Sequence, residues 1–141
     1  MVFTGFNLNY WAILVSAFIN MVVGSVWYSP LIFGKSWMKL IGLDKKNLEK
    51  AKQKGMGKIY FIAFISSLII AFVMSMLIMM LGINSFIIGA KLGLLIWLGF
   101  IATTFLGVVL WENKSVKLYL INVLYYLVVL LLIGGMLAVW Q

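Results

Sequence analysis

The chain contains no cysteine, no histidine and no arginine, a single proline, and three acidic residues, Asp44, Glu49 and Glu112. Without cysteine there is no disulfide, no thiolate nucleophile and no haem-attachment motif. Without histidine, zinc, haem and iron–sulfur centres lose their usual ligands, and the serines and threonines have no imidazole to activate them. Charge is scarce: 10% of the 141 residues are charged, whereas soluble domains carry about a quarter. What remains is apolar, 65% of the chain, so lipid rather than water is its main solvent. The composition therefore points to no catalytic residue, no metal site and no cofactor, with Glu112 read as a solvated charge near Lys114.

Four runs are long and apolar enough to cross a bilayer, at about 10–28, 59–81, 86–111 and 118–140. A run such as 10–28, at 1.5 Å per residue, covers about 28 Å, close to the roughly 30 Å hydrocarbon core. Tyr10 and Trp11 mark one end of the first run and Trp27 and Tyr28 the other, as expected of aromatics at the two interfaces. Met1–Asn9 carries no positive charge and the run that follows lacks a small-residue cleavage site, which predicts a retained span rather than a signal peptide. Lipid leaves backbone groups no partner outside helices or closed barrels. The expected fold is an all-α four-helix transmembrane bundle, one integral membrane domain over 1–141.

The eleven positive charges are all lysine, and eight lie between Lys35 and Lys58, where Asp44 and Glu49 leave a net +6. Pro30 disfavours helical geometry at Ser29 and predicts a turn. Phe33, Trp37, Leu40 and Ile41 then recur at helical spacing with Lys35 and Lys39 between them; Asp44 fits the N-cap of a second short helix and Gly55 its stop. Residues 30–58 thus read as a basic amphipathic interfacial segment attracted to anionic headgroups. The lysines flank a span instead of spreading over a folded face with interleaved aromatics, so nucleic acid is not the expected partner despite a net charge of +8. The positive-inside rule places this loop in the cytoplasm and both termini outside, with Lys114 and Lys117 inside and Lys91 snorkelling outward.

Small residues repeat every four positions on two spans: Ala63, Ser67, Ala71 and Ser75 on the second, and two stripes on the third, Gly89 with Gly93 and then Gly99, Thr103 and Gly107; the fourth carries the Gly134, Gly135 pair. Such stripes permit close helix approach, and Gly24 is read the same way. They cover more faces than one bundle needs, which predicts a homo-oligomer, most simply a dimer, weakened by Ala71→Leu or Gly107→Leu. Ser16, Asn20 and Gly24 echo the Gly99, Thr103, Gly107 spacing, a pattern compatible with a parallel repeat of helix pairs. Asn84 fits a cap in the turn at 82–85.

No charged residue lies near the middle of any span, which argues against ion-coupled transport. Polar groups at depth are Asn20, Ser66, Ser67, Ser75, Thr103, Thr104, Asn122 and Tyr126. Asn20 and Asn122 admit two readings: interhelical hydrogen bonds, or a hydrated pocket shared with Thr103 and Tyr126. The aromatic stretch Trp27, Tyr28, Pro30, Phe33, Gly34 and Trp37 is either an anchor that ends the first span or the wall of a lipid or small-molecule cleft.

Asn20, Gly24, Trp27, Tyr28, Pro30, Phe33, Gly34 and Trp37 form the pattern N-x-x-x-G-x-x-W-Y-x-P-x-x-F-G-x-x-W. It resembles the signature of the small membrane proteins called domain of unknown function 1761. The resemblance extends to Trp97, Leu98, Gly99, Thr103 and Thr104 and to Asn122 with Tyr126. It implies a four-span protein of a bacterial or archaeal cytoplasmic membrane, and no established activity. Two function classes follow: an oligomeric permeation or solute- or lipid-binding protein with a polar intramembrane pocket, or a non-catalytic membrane component whose polar groups only lock its helices.

Overall fold

The computed structural model describes residues 5–141, so Met1–Thr4 of the uncharged amino-terminal stretch lie outside it. Helix α1 spans Tyr10–Trp27 and opens on Asn9, whose side chain accepts the Ala12 N–H at 3.1 Å. Two short helices follow, α2 at Gly34–Leu40 and α3 at Lys45–Gln53. Asp44 caps α3 by accepting the Asn47 N–H at 2.7 Å, and Gly42 and Gly55, at φ +73° and +92°, end the two helices in a conformation that favours glycine. All eight lysines from Lys35 to Lys58 are exposed, while Leu48 and Ala51 are half-buried on the other side of α3.

Helix α4 runs Gly57–Met80, starting two residues before its apolar run because the first turn of a helix accommodates Lys58 in water. Beyond a turn through Gly82, the third span is a single course, Phe86–Leu110, built of α5 (Phe86–Ile96), a π-helical turn (Trp97–Ala102) and α6 (Thr103–Leu110). Its N-cap is Ser85 rather than Asn84, and no side chain bonds that cap. Helix α7, Val116–Val139, opens on Ser115, whose hydroxyl accepts the Lys117 N–H at 3.1 Å. Among the described residues there is no strand, and four helical courses are long and apolar enough to cross a membrane. The chain is a multi-pass membrane protein.

Helix α7 is the hub, packing against α1, α4 and the third span. The core joins Ala12 and Ile13 of α1, Ala71, Met74 and Ile78 of α4, and Val129, Leu130, Ile133, Leu137 and Ala138 of α7. Closest approach is between α5 and α7, where a Cβ on Gly89 would overlap the Gly134 carbonyl and one on Gly93 that of Leu130. Without a hydrophobic force between helices in lipid, such close packing and the hydrogen bonds between helices supply the attraction. Ser67, Ala71 and Ser75 are buried and Ala63 half-buried, so this stripe is used inside the protomer, where α4 meets α1 and α7. Ala71 is 0% exposed, so it cannot serve a contact between protomers as the sequence reading expects.

Gly99 lies in open space, and a Cβ on Gly107 would meet only Trp111 of its own span, at 3.7 Å. Neither packs against another helix of the chain; the other stripe of that span, Gly89 and Gly93, does, together with Gly134 and Gly135 of α7. The triplets Ser16, Asn20, Gly24 and Gly99, Thr103, Gly107 sit differently: Ser16 and Asn20 are buried, Gly99 and Thr103 exposed, and Gly24 and Gly107 half-buried.

Candidate functional site

Where α1 ends, the backbone doubles back tightly. Gly34 N–H donates to the Ser29 carbonyl at 2.9 Å and Phe33 N–H to that of Trp27 at 3.1 Å; a Cβ on Gly34 would collide with the backbone of Tyr28 and Ser29. Pro30, exposed in this turn, presets φ and has no N–H to satisfy. The turn stacks Phe33 on Trp27, centroids 4.7 Å apart, and sets Trp37 edge-on to Tyr28 at 5.3 Å.

From there the motif reaches α7. The Trp27 indole donates to the Ile121 carbonyl at 3.0 Å and the Tyr28 hydroxyl to Asn122 Oδ1 at 2.8 Å. One turn deeper, the Tyr125 hydroxyl donates to Asn20 Oδ1 and lies 3.3 Å from the Asn20 backbone carbonyl. Gly24 makes room for this, since a Cβ there would lie 3.2 Å from the Tyr125 oxygen. Rings of Tyr28, Tyr125, Tyr126 and Phe105 continue as a row, with successive centroids 5.5, 4.9 and 5.8 Å apart.

Beside this row α1, α4 and α7 leave a groove of about 400 Å³, lined on its polar side by Asn20, Ser66, Ser67, Tyr125 and Tyr126 and on the other by Met21, Ile59, Ile62, Ala63 and Ile70. A second groove of about 410 Å³ lies between α4 and the third span, walled by Ile69, Val73, Leu77, Ile96, Phe100 and Leu130 among others. Ile70 and Tyr126 line both, so the two adjoin, and each is of a size typical of ligand pockets. Every lining residue is uncharged.

Asn20 is only 3% exposed, yet its side-chain amide nitrogen donates to no described residue. Since no fully buried polar side-chain atom lacks a partner among the described residues, that nitrogen is open to the groove it lines. Tyr126 and Ser66 likewise keep hydroxyls that bond no described residue, and the Ser67 hydroxyl donates back to the Ala63 carbonyl at 2.9 Å. The groove thus offers the Asn20 N–H as a donor and two hydroxyls that can donate or accept.

Of the four residues the sequence reading groups, Asn20 and Tyr126 meet at this groove. Asn122 instead faces Tyr28, outside the lining, with its side-chain oxygen already used. Thr103 is exposed on the third span and returns its hydroxyl to the Gly99 carbonyl of its own helix at 2.7 Å, so it joins no polar cluster. Tyr125, the actual partner of Asn20, was not in that group; the available signal was its position three residues after Asn122, on one face of α7. The π-helical turn shows the same economy: Trp97 donates to the Val123 carbonyl at 2.6 Å and Tyr119 to that of Ala102 at 2.8 Å. Among the described residues no group of three or more His, Cys, Asp or Glu side chains could hold a metal.

The model of a family described as a protein of unknown function, DUF1761, matches residues 11–138, which takes in the turn motif, both grooves and all but the outermost residue of the first and fourth spans. The chain belongs to the DUF1761 family. No curated protein and no solved structure matches it. The DUF1761 description carries no activity, so a function for this member has to come from the groove itself.

Proposed function

We propose that the protein is a small intramembrane binding protein that takes up an uncharged, membrane-dissolved molecule in the groove between α1, α4 and α7. The observation that carries this is the Asn20 amide nitrogen, deep in a span and bonded to no described residue while its oxygen is held by Tyr125. Leaving such a donor unpaired in hydrocarbon costs roughly 1–3 kcal/mol, which a ligand oxygen would recover. The remaining polar contacts, Tyr28 with Asn122 and Trp27 with Ile121, lock α1 to α7 and hold the groove's aromatic wall in place. A purely structural role accounts for those contacts and leaves the free amide unexplained.

The same proposal sets the protein in a prokaryotic cytoplasmic membrane with Lys35–Lys58 on the cytoplasmic side against anionic headgroups and both termini outside. It also includes a homodimer, with the contact on the third span, where Gly99 and Thr103 lie open and a second copy can approach closely.

The test is extraction of lipid from gently purified protein, followed by mass spectrometry. Wild type is expected to carry about one enriched neutral molecule per chain, absent from Ser66→Phe, which fills the groove and removes no hydrogen bond between described residues. A lipid profile identical to the bulk membrane in both proteins defeats the reading.

A further inference from the structure

Asn20 lies seven residues before the end of α1 and ten after its start, which puts it about 10 Å from one end of the helix and about 15 Å from the other. At that depth the polar part of a ligand sits well inside the hydrocarbon, where a phosphate or ammonium is costly. Of the free groups facing it, the Asn20 amide N–H can only donate and calls for an acceptor oxygen on the ligand, and the Tyr126 and Ser66 hydroxyls can donate to a second. Tyr126 also presents an aromatic ring, and it forms the common wall between the polar groove and the apolar one. The apolar groove leads away along Val73 and Phe100 with space for a hydrocarbon chain.

We propose that the occupant is a quinone-type lipid, whose uncharged ring packs against Tyr126 with its two carbonyl oxygens accepting from Asn20 and from the Tyr126 or Ser66 hydroxyl, and whose tail lies in the apolar groove. This rests on the binding reading above and specifies its ligand; no redox step is part of it. Aromatic packing, two separated carbonyl acceptors, zero charge and a long apolar tail are the features that the two adjoining grooves accept together.

Native mass spectrometry of the full-length protein in a lipid-free detergent, titrated with decylubiquinone, tests the proposal. One saturable adduct per chain is expected. At least one of Tyr126→Phe and Ser66→Ala, whichever removes the donor to the second carbonyl, should weaken it by about threefold to tenfold, the loss of one hydrogen bond. Val73→Trp, at an exposed position that fills the apolar groove, should weaken decylubiquinone but leave the tail-less 2,3-dimethoxy-5-methyl-1,4-benzoquinone unchanged. Asn20→Leu should abolish binding; because it also strips Tyr125 of its acceptor, the other three variants decide the matter should it misfold.

Saturable binding of dioleoylglycerol without any binding of decylubiquinone overturns the quinone class and leaves the binding reading intact. Adducts that none of the substitutions alters overturn the placement in these grooves. Absence of every adduct, together with no enriched neutral lipid in the purified protein, overturns both proposals.

Discussion

Asn20 holds two jobs at one position because an amide has two ends. Its oxygen accepts from Tyr125 and fixes α1 on α7, and its nitrogen is left for the groove. Asn122, by contrast, spends its oxygen on Tyr28 at 2.8 Å, away from the groove. A double-mutant cycle with Tyr28→Phe and Asn122→Ala should therefore return a coupling of about 0.6–2 kcal/mol in unfolding from mild detergent, the range for hydrogen bonds between membrane helices. Gly34 is required by geometry: Gly34→Ala drives a methyl group into the Tyr28 and Ser29 backbone and is expected to cost about 1–3 kcal/mol in the same assay. A Gly34→Ala protein as stable as wild type would show that the turn can open without loss.

At the scale of helices, the contact between α5 and α7 and the exposed face of the third span make opposite predictions for chemically similar changes. Gly93→Leu places a side chain against the Leu130 carbonyl and should prevent the bundle from closing, read as loss of the folded population in thermal denaturation. Gly99→Leu meets open space, so the protomer should keep its stability while crosslinking of the proposed dimer falls. If crosslinking survives Gly99→Leu, the dimer contact lies elsewhere. Ala71→Leu belongs with the first case, since Ala71 is fully enclosed between helices and overpacking there destabilises the protomer itself.

For the whole molecule, the clearest prediction concerns orientation, and the lack of native cysteine makes it easy to check. In intact cells a cysteine at exposed Lys46 should resist an impermeant maleimide until the membrane is broken, whereas one at Ser85, in the turn before α5, should react directly. The reverse pattern would invert the proposed topology.

The spans, the turn after α1 and the two basic helices were legible in the chain itself. Lipid solvates each span independently, so hydropathy reports it without reference to neighbours, and Asp44, Gly55 and Pro30 act on their own few residues through cap and turn geometry. Which helices touch was not legible. Ala63–Ser75 and Gly99–Gly107 have the same spacing, and only the rotation of each helix about its axis decides that the first is buried and the second bare. Asn20 and Tyr126 stood out as polar residues at depth, but that Tyr125 takes the oxygen of Asn20, that Asn122 goes to Tyr28 and that Thr103 bonds its own helix depends on register between segments up to 105 residues apart. The sequence by itself determined a four-span helical membrane protein with an aromatic turn and a basic loop, because those follow from local solvation. The tertiary structure alone decided that α7 is the hub and that a groove with one polar side opens beside Asn20, because helix rotation and register depend on which of several similarly spaced glycines meet a neighbouring backbone, here Gly89, Gly93 and Gly134, and local spacing does not choose among them.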